Sequence, residues 1–246
     1  MLIDKDKCSG CGLCLPYCPY AAINLEDKIA VIDQDLCVEC GNCIRQRVVR
    51  CPKKAIYEPR KKIYGTPREV RRFFSDPATT HGVTGVPGRG TEEVKTNDVT
   101  GRVCRGEIGI AVELGRPCLG TTFSEVEKVT TALAKLGVEF EESNPLTHLM
   151  DDPAKGTFKE EYKQETVLSA IVEFNAKIDK MTTLLTTIKK VAQEIETVFS
   201  LDLICCFEED GSIPVLPILE QLEMSPRVNS KVNIGMGRPY RIRREA

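Results

Sequence analysis

The sequence predicts an α+β protein in two parts: a small cysteine-rich unit, then a βαββαβ sandwich with an extra helix and strand. Three observations carry that prediction. Eight of the twelve cysteines fall in two repeats within the first 51 of 246 residues. Further along, a strand–helix–strand order is read twice, over residues 106–142 and again over 167–207. Capping and stop signals bound the helices between those strands.

The repeats are Cys8-x2-Cys11-x2-Cys14-x3-Cys18-Pro19 and Cys37-x2-Cys40-x2-Cys43-x7-Cys51-Pro52. Iron in a cubane is held by soft, deprotonated thiolates, and two-residue gaps let three sulfurs curl around one cube. Eight such ligands predict two [4Fe-4S] clusters. Structural zinc takes two CxxC pairs or mixed Cys/His sets, and a disulfide framework belongs to oxidising compartments and small secreted domains. Neither fits a CxxCxxC triplet with a distant Cys-Pro.

On these residues, 1–60 resemble a bacterial-type two-[4Fe-4S], or dicluster, ferredoxin domain. The duplication extends past the cysteines, since Cys18-Pro19-Tyr20-Ala21-Ala22-Ile23 is echoed by Cys51-Pro52-Lys53-Lys54-Ala55-Ile56. The resemblance implies a pseudo-twofold pair of halves, each with a short strand pair and a helical turn. It also implies that each Cys-Pro cysteine crosses over to the other cube. Cys8, Cys11, Cys14 and Cys51 then hold one cluster, and Cys37, Cys40, Cys43 and Cys18 the other. These eight are the expected cofactor and metal ligands, and no catalytic residue is expected. The seven-residue gap before Cys51 departs from the short pattern. Four extra residues are about one helical turn, which keeps Cys51 in phase and puts Ile44 and Val48 on one helix face. Some longer two-cluster ferredoxins carry a similar insertion with clusters of unequal potential, and the resemblance implies the same here.

The remaining composition bounds the setting. At 41% apolar residues the chain can build a proper core. The first ligand follows Met1-Leu2-Ile3-Asp4-Lys5-Asp6-Lys7 with no apolar h-region, and no apolar run approaches a membrane span, so a cytoplasmic protein is expected. Oxygen-labile cubanes imply an anaerobic host. Net charge is −2, yet Arg45 to Arg72 contains eleven Lys or Arg against Glu58 and Glu69, an excess of nine that leaves −11 elsewhere. Such an arm suits an acidic redox partner or offsets the charge of thiolate-ligated cubes; the plain alternative is a solvated linker. Nucleic acid is not expected, because no recognised motif accompanies the basic patch.

Residues 61–103 read as a Gly/Pro-rich connector with a short helix at Arg68–Phe74. Gly82, Gly85, Gly88 and Gly90 lack both the Gly-Lys-Ser/Thr ending of a phosphate loop and a preceding strand, so they are expected to serve turns. Residues 104–240 form the α+β docking or dimerisation domain, and 241–246 a basic tail. Gly106–Leu114 reads as a strand, and Thr122-x-x-Glu125 as a capping box opening a helix through Val126, Val129, Leu133 and Leu136, stopped by Gly137. Val138–Glu142 reads as a strand. A second pass gives a strand at Val167–Phe174, a helix from Lys177 to Glu196 and a strand at Val198–Phe207. Together they predict a ferredoxin-like sandwich, a fold name unrelated to iron–sulfur chemistry. Pro214–Leu222 adds a helix and Val228–Ile234 a strand. Ile171, Phe174, Ile178, Met181, Leu185, Ile188, Ala192 and Ile195 also fit a coiled-coil seam, which would make 166–197 one dimerising helix. Alternation of Leu168, Ala170, Val172 and Phe174 favours strand then helix.

Outside the repeats, Cys104 and Cys118 have no CxxC partner and are expected as isolated thiols, while Cys205 and Cys206 read as small core hydrophobes. His81 and His148 have no visible ligand set. The turn Gly115–Thr122 is read as turn chemistry rather than an anion site. The expected function is single-electron relay through two clusters to or from a larger anaerobic oxidoreductase, as part of a complex or a homo-oligomer. The alternative is a redox-linked regulatory protein binding a small ligand on its C-terminal domain. A self-sufficient enzyme ranks behind both, because no dinucleotide fingerprint or nucleophile constellation is visible.

Overall fold

The computed structural model describes residues 1–45, 51–88, 101–116 and 119–227. In the N-terminal unit, β1 (Leu2–Ile3), β2 (Ile23–Glu26), β3 (Ile29–Ile32) and β4 (Ile56–Tyr57) form two antiparallel ribbons, β1 with β4 and β2 with β3. Asp27 and Lys28 join β2 to β3 with φ of 48° and 63°, the twist a two-residue hairpin needs. Met1, Ala22, Ile23, Ala30 and Ile32 are buried here with Cys14 and Cys37. So small an apolar cluster holds little by itself, and the loops around it carry the cysteines.

A one-turn helix α1 (Arg60–Ile63) leads into α2 (Pro67–Ser75). Pro67 opens α2 where an N–H would be orphaned anyway, and the Glu69 carboxylate accepts from the Gly65 N–H at 2.8 Å. Asp76-Pro77 ends it. The segment read as a connector thus contributes a helix to the main core, with Phe74 edge-on to Phe123 at 5.4 Å. Gly88 approaches the Asp76 carbonyl so closely that a Cβ would lie 2.0 Å from it. Gly85 donates its N–H to the His81 carbonyl, so these glycines make turns and close backbone contacts. Gly90 and the rest of 89–100 lie outside the described residues, as do Val48 of the insertion, Val228–Ile234 and the basic tail 241–246.

The C-terminal part is built around a three-stranded antiparallel sheet, giving an α+β protein. Its elements are β5 (Glu107–Leu114), β6 (Thr121–Thr122), α3 (Phe123–Ala134), β7 (Met150–Asp152), β8 (Thr157–Phe158), β9 (Thr166–Val167), β10 (Ala170–Lys177), α4 (Met181–Val191), β11 (Phe199–Cys205) and α5 (Leu216–Gln221). Strand β5 is central, with Val112 facing Val172 of β10 on one side and Leu201 of β11 on the other. Ile108, Ile110, Val112 and Leu114 form one apolar stripe of period two. They share the main core with Val126, Val129 and Leu133 of α3 and Met181, Leu185 and Ile188 of α4. Among the described residues no helix is long and apolar enough to cross a membrane.

Three expectations change. The strand at Val138–Glu142 shrinks to a single bridge, Phe140 to Phe174, because the chain turns at once: Asn144 N–H donates to the Glu141 carbonyl, and Pro145 has no N–H. The helix expected from Lys177 begins at Met181, since Ala176 and Lys177 still pair with Ile108 and Glu107 of β5. The coiled-coil seam therefore straddles a strand and a helix: Phe174, Met181, Leu185, Ile188 and Ile195 fill the main core of one chain, while Ile171 lies in a separate small cluster with Ala111. Local pattern assigns no element to 143–166, yet β7 and β8 form a hairpin and β9 pairs with β6.

Thr122 caps α3 by accepting the Glu125 N–H, at a long 3.4 Å. Thr122→Ala is expected to lower stability by about 0.5–1 kcal/mol, the low end for an N-cap, in denaturant unfolding. A loss above about 2 kcal/mol would assign Thr122 a role beyond the cap.

Candidate metal centre

The duplication seen in the sequence is a duplication of hydrogen bonds. Cys8 N–H donates to the Asp4 carbonyl and Cys37 N–H to the Asp33 carbonyl, both at 3.1 Å. Asp4 N–H donates to Ala55 and Asp33 N–H to Ala22, both at 2.8 Å. After each Cys-Pro the chain enters the left-handed region, at Ala21 and Lys54, both with φ 49°. That excursion turns the next amide back on the cysteine: Ala22 N–H donates to Cys18 Sγ at 3.2 Å and Ala55 N–H to Cys51 Sγ at 3.4 Å. Gly10 and Ala30 N–H groups both donate to Cys8 Sγ at 3.4 Å. Amides aimed at sulfur stabilise negative charge there and are one of the levers that set cluster potentials.

Two cavities of nearly equal size, about 360 and 350 Å³ with their open mouths included, lie between these loops. One is lined by Cys8, Cys11, Cys14 and Cys51. The other is lined by Cys18, Cys37, Cys40 and Cys43. The structure thus brings all eight sequence-predicted cysteines together in two fours, each completed by the Cys-Pro cysteine of the opposite repeat. Among the described residues, no three His, Cys, Asp or Glu side chains converge closely enough to share one metal ion. A cubane differs from zinc in that each thiolate takes a separate iron, so four cysteines set around a cavity fit a cluster.

The cavities differ in exposure. Cys11 is exposed at the first, whereas Cys37 and Cys40 are buried at the second. Burial pushes the Cys14, Cys37 and Cys40 thiols up, and burial with the neighbouring Cys37 and Cys40 pushes Cys43 up to about 12. Thiolates formed at these raised positions need a compensating cation, which iron supplies on ligation. The second cavity also meets the C-terminal part: Val38, Cys40 and Leu168 form a small buried cluster with Tyr20, whose hydroxyl donates to the Leu119 carbonyl at 2.9 Å.

The basic arm divides in two. Lys53, Lys54, Arg60, Lys61 and Lys62 are exposed, but Arg45, Arg68, Arg71 and Arg72 turn inward on acidic partners. Arg47 and Arg50 lie outside the described residues. Arg71 is buried, pairs with Glu165 at 2.5 Å and donates to the Cys37 carbonyl at 3.0 Å. Arg72 donates to the Glu39 carbonyl at 2.8 Å and pairs with Asp76 at 2.7 Å. Glu39 is fully buried between Arg68 and the Met1 amino group; burial opposes its ionisation, but those two cations outweigh it and hold the carboxyl below the usual range. The sequence reading missed these arginines as internal groups. Their only signal was spacing, since Arg68, Arg71 and Arg72 lie on neighbouring positions of one helix face.

Other candidates stay apart from the cavities. Cys205 ends β11, Cys206 donates to the Val103 carbonyl, and Cys104 is exposed. Cys118 lies outside the described residues. In the turn at Gly115, the Leu119 and Gly120 amides donate to the Gly115 carbonyl, which is turn chemistry. His81 and His148, separate in sequence, meet with ring centroids 5.3 Å apart, and burial followed by the facing ring pushes His81 down.

A family model described as a 4Fe-4S binding domain matches residues 1–24. Pyruvate synthase subunit PorD of Methanothermobacter marburgensis is 42% identical over 60 residues, 24% of this chain and 65% of that protein. A ferredoxin-like protein in the vnf region of Azotobacter chroococcum is 40% identical over 60 residues, 24% of this chain and 92% of its own length. A subunit of the ion-translocating oxidoreductase complex of Methanosarcina acetivorans is 45% identical over 49 residues, 20% of this chain and 17% of that protein. The chain thus spans less than two thirds of the pyruvate synthase subunit and about a sixth of the ion-translocating one. No solved structure matches it. With a 4Fe-4S model on its first cysteine repeat and a ferredoxin-like relative covered almost throughout, the chain belongs, through its N-terminal domain, to the 4Fe-4S ferredoxins.

Proposed function

We propose that this chain is an electron-transfer subunit that relays single electrons to or from a larger oxidoreductase through two [4Fe-4S] clusters. One cluster rests on Cys8, Cys11, Cys14 and Cys51, the other on Cys37, Cys40, Cys43 and Cys18. The observation that carries this reading is the gathering of those two fours around two separate cavities. Bound, such clusters supply one-electron chemistry. The chain's own residues hold them by thiolates, aim the Gly10, Ala22, Ala30 and Ala55 amides at sulfur, and limit water with Ile3, Ala22, Ile23, Ile32 and Ile56.

Exposure favours an order for the relay. The exposed Cys11 suits the first cavity for exchange with an outside partner, while the cavity at Cys37 and Cys40 abuts the C-terminal domain. Similarity to named subunits of pyruvate synthase and of an ion-translocating oxidoreductase complex favours a place in such an assembly. Residues 104–240 are the docking or dimerisation module. Their reading as a ferredoxin-like sandwich is favoured by the sheet order β11-β5-β10, with Phe140 bridged to β10 in place of a fourth strand. A reducing cytoplasm in an anaerobic cell belongs to the same proposal, since eight thiols must stay reduced and a cluster at exposed Cys11 meets dissolved oxygen. The regulatory alternative draws on one observation, the Arg71 bridge between Glu165 and the Cys37 loop.

Anaerobically purified protein is expected to carry about eight iron and eight acid-labile sulfides per chain. Stoichiometric zinc, or four iron after careful reconstitution, overturns the two-cluster reading.

A further inference from the structure

The two halves of the N-terminal domain share a backbone but not a charge environment. In the second half, α2 lays guanidinium groups on the ligand loop: Arg68 donates to the Gln34 carbonyl at 3.0 Å, Arg71 to Cys37 at 3.0 Å and Arg72 to Glu39 at 2.8 Å. Among the described residues, no guanidinium reaches a backbone carbonyl of the matching loop over residues 4–12. There Gly10 stands where the second loop has Glu39, each the residue preceding the second cysteine.

Arg71 differs from its neighbours in what holds its other side. Its Nε is bound by Glu165, from the segment just before β9 in the C-terminal domain, and both side chains are largely buried. We infer that the Arg71–Glu165 pair is a positioning and tuning device that couples the C-terminal domain to the reduction potential at Cys18, Cys37, Cys40 and Cys43. The inference rests on the cluster assignment proposed above. Adding an electron makes a cluster more negative, so a fixed cation beside its ligand loop favours the reduced form and raises the potential. A carboxylate that neutralises the cation works against it. Because the pair is removed from bulk water, its field is weakly screened. Any partner that draws Glu165 away from Arg71 therefore shifts the relay toward holding the electron, and by reciprocity reduction alters the affinity for that partner.

The test is an anaerobic redox titration of the full chain, with dithionite as the one-electron reductant and each midpoint followed by electron paramagnetic resonance. The signal from Cys18, Cys37, Cys40 and Cys43 is assigned by its loss in Cys18→Ala. Arg71→Gln is expected to lower that midpoint and Glu165→Gln to raise it. Each shift amounts to a tenfold change in the reduced-to-oxidised ratio at fixed potential, about 59 mV for one electron. Arg71→Lys, which keeps the charge, restores most of the lost potential. The other midpoint stays in place throughout. Shifts of the same sign in Arg71→Gln and Glu165→Gln, equal shifts at both clusters, or no shift at all overturn the coupling. Iron content separates this from failure of the underlying reading, since about eight iron per chain with unmoved midpoints sinks the coupling alone, and four iron in the wild-type chain sinks both. If Arg71→Gln does not load iron, Glu165→Gln, away from the ligand loops, still decides.

Discussion

Cys18→Ala is expected to cost the protein about four of its eight iron, leaving the cluster on Cys8, Cys11, Cys14 and Cys51 intact. Cys18 follows Cys14 by four residues, yet it lines the cavity of Cys37, Cys40 and Cys43. The left-handed step at Ala21 and the Ala22 N–H hold its sulfur there. An alanine leaves three ligands for four irons, so that cluster is lost. Cys51→Ala is the mirror experiment and removes the cluster at exposed Cys11. Iron and sulfide analysis with electron paramagnetic resonance on anaerobic samples reads both. Should Cys18→Ala abolish the same signal that Cys11→Ala abolishes, the crossed pairing is wrong.

Gly10→Ala is expected to be the most damaging substitution outside the cysteines. Gly10 has φ 66°, and a Cβ there would sit 1.8 Å from the Lys28 carbonyl oxygen. That oxygen is backbone in the tight turn between β2 and β3, so it cannot swing aside as a side chain would. The left-handed conformation costs about 1–2 kcal/mol and the overpacking about 1–3 kcal/mol more. Pushing the hairpin off the loop also weakens the Gly10 and Ala30 N–H bonds to Cys8 Sγ. Iron at the first cavity should therefore be lost to chelator at least tenfold faster than in the wild type, while the second cavity holds its iron. An unchanged rate of iron loss would show that the close approach is relieved at no cost.

Much of this was legible in the sequence because the informative residues act locally. The Cys-x2-Cys spacing, the Cys-Pro ends and the echoed Ala-Ile pair announce a duplicated loop, and both cavities follow those groupings. Thr122-x-x-Glu125 marks the start of α3, and the alternation of Leu168, Ala170, Val172 and Phe174 separates β10 from α4 despite the competing heptad pattern. Where the reading overreached, a short-range signal was cut by a pairing it could not see. Val138–Glu142 has strand composition but finds one bridging partner, and Lys177 has helical neighbours but stays in register with Glu107.

The sequence by itself determined the ferredoxin character of the N-terminal domain, its duplicated cysteine loop and the α+β class, because cysteine spacing, caps and periodicity act across a few residues. Only the tertiary structure decided where the charge goes. Arg68 and Arg71 belong to a basic stretch whose sequence fits partner steering, offset of cluster charge or a solvated linker, yet their partners Glu39 and Glu165 lie 29 and 94 residues away, and pairing with those carboxylates turns both cations inward. The same folding gives the two cavities different surroundings, one with Cys11 exposed and the other joined to the C-terminal domain through Val38, Cys40 and Leu168. Burial and long-range ion pairing are properties of packed chains, and no local pattern encodes which cation will lose its water.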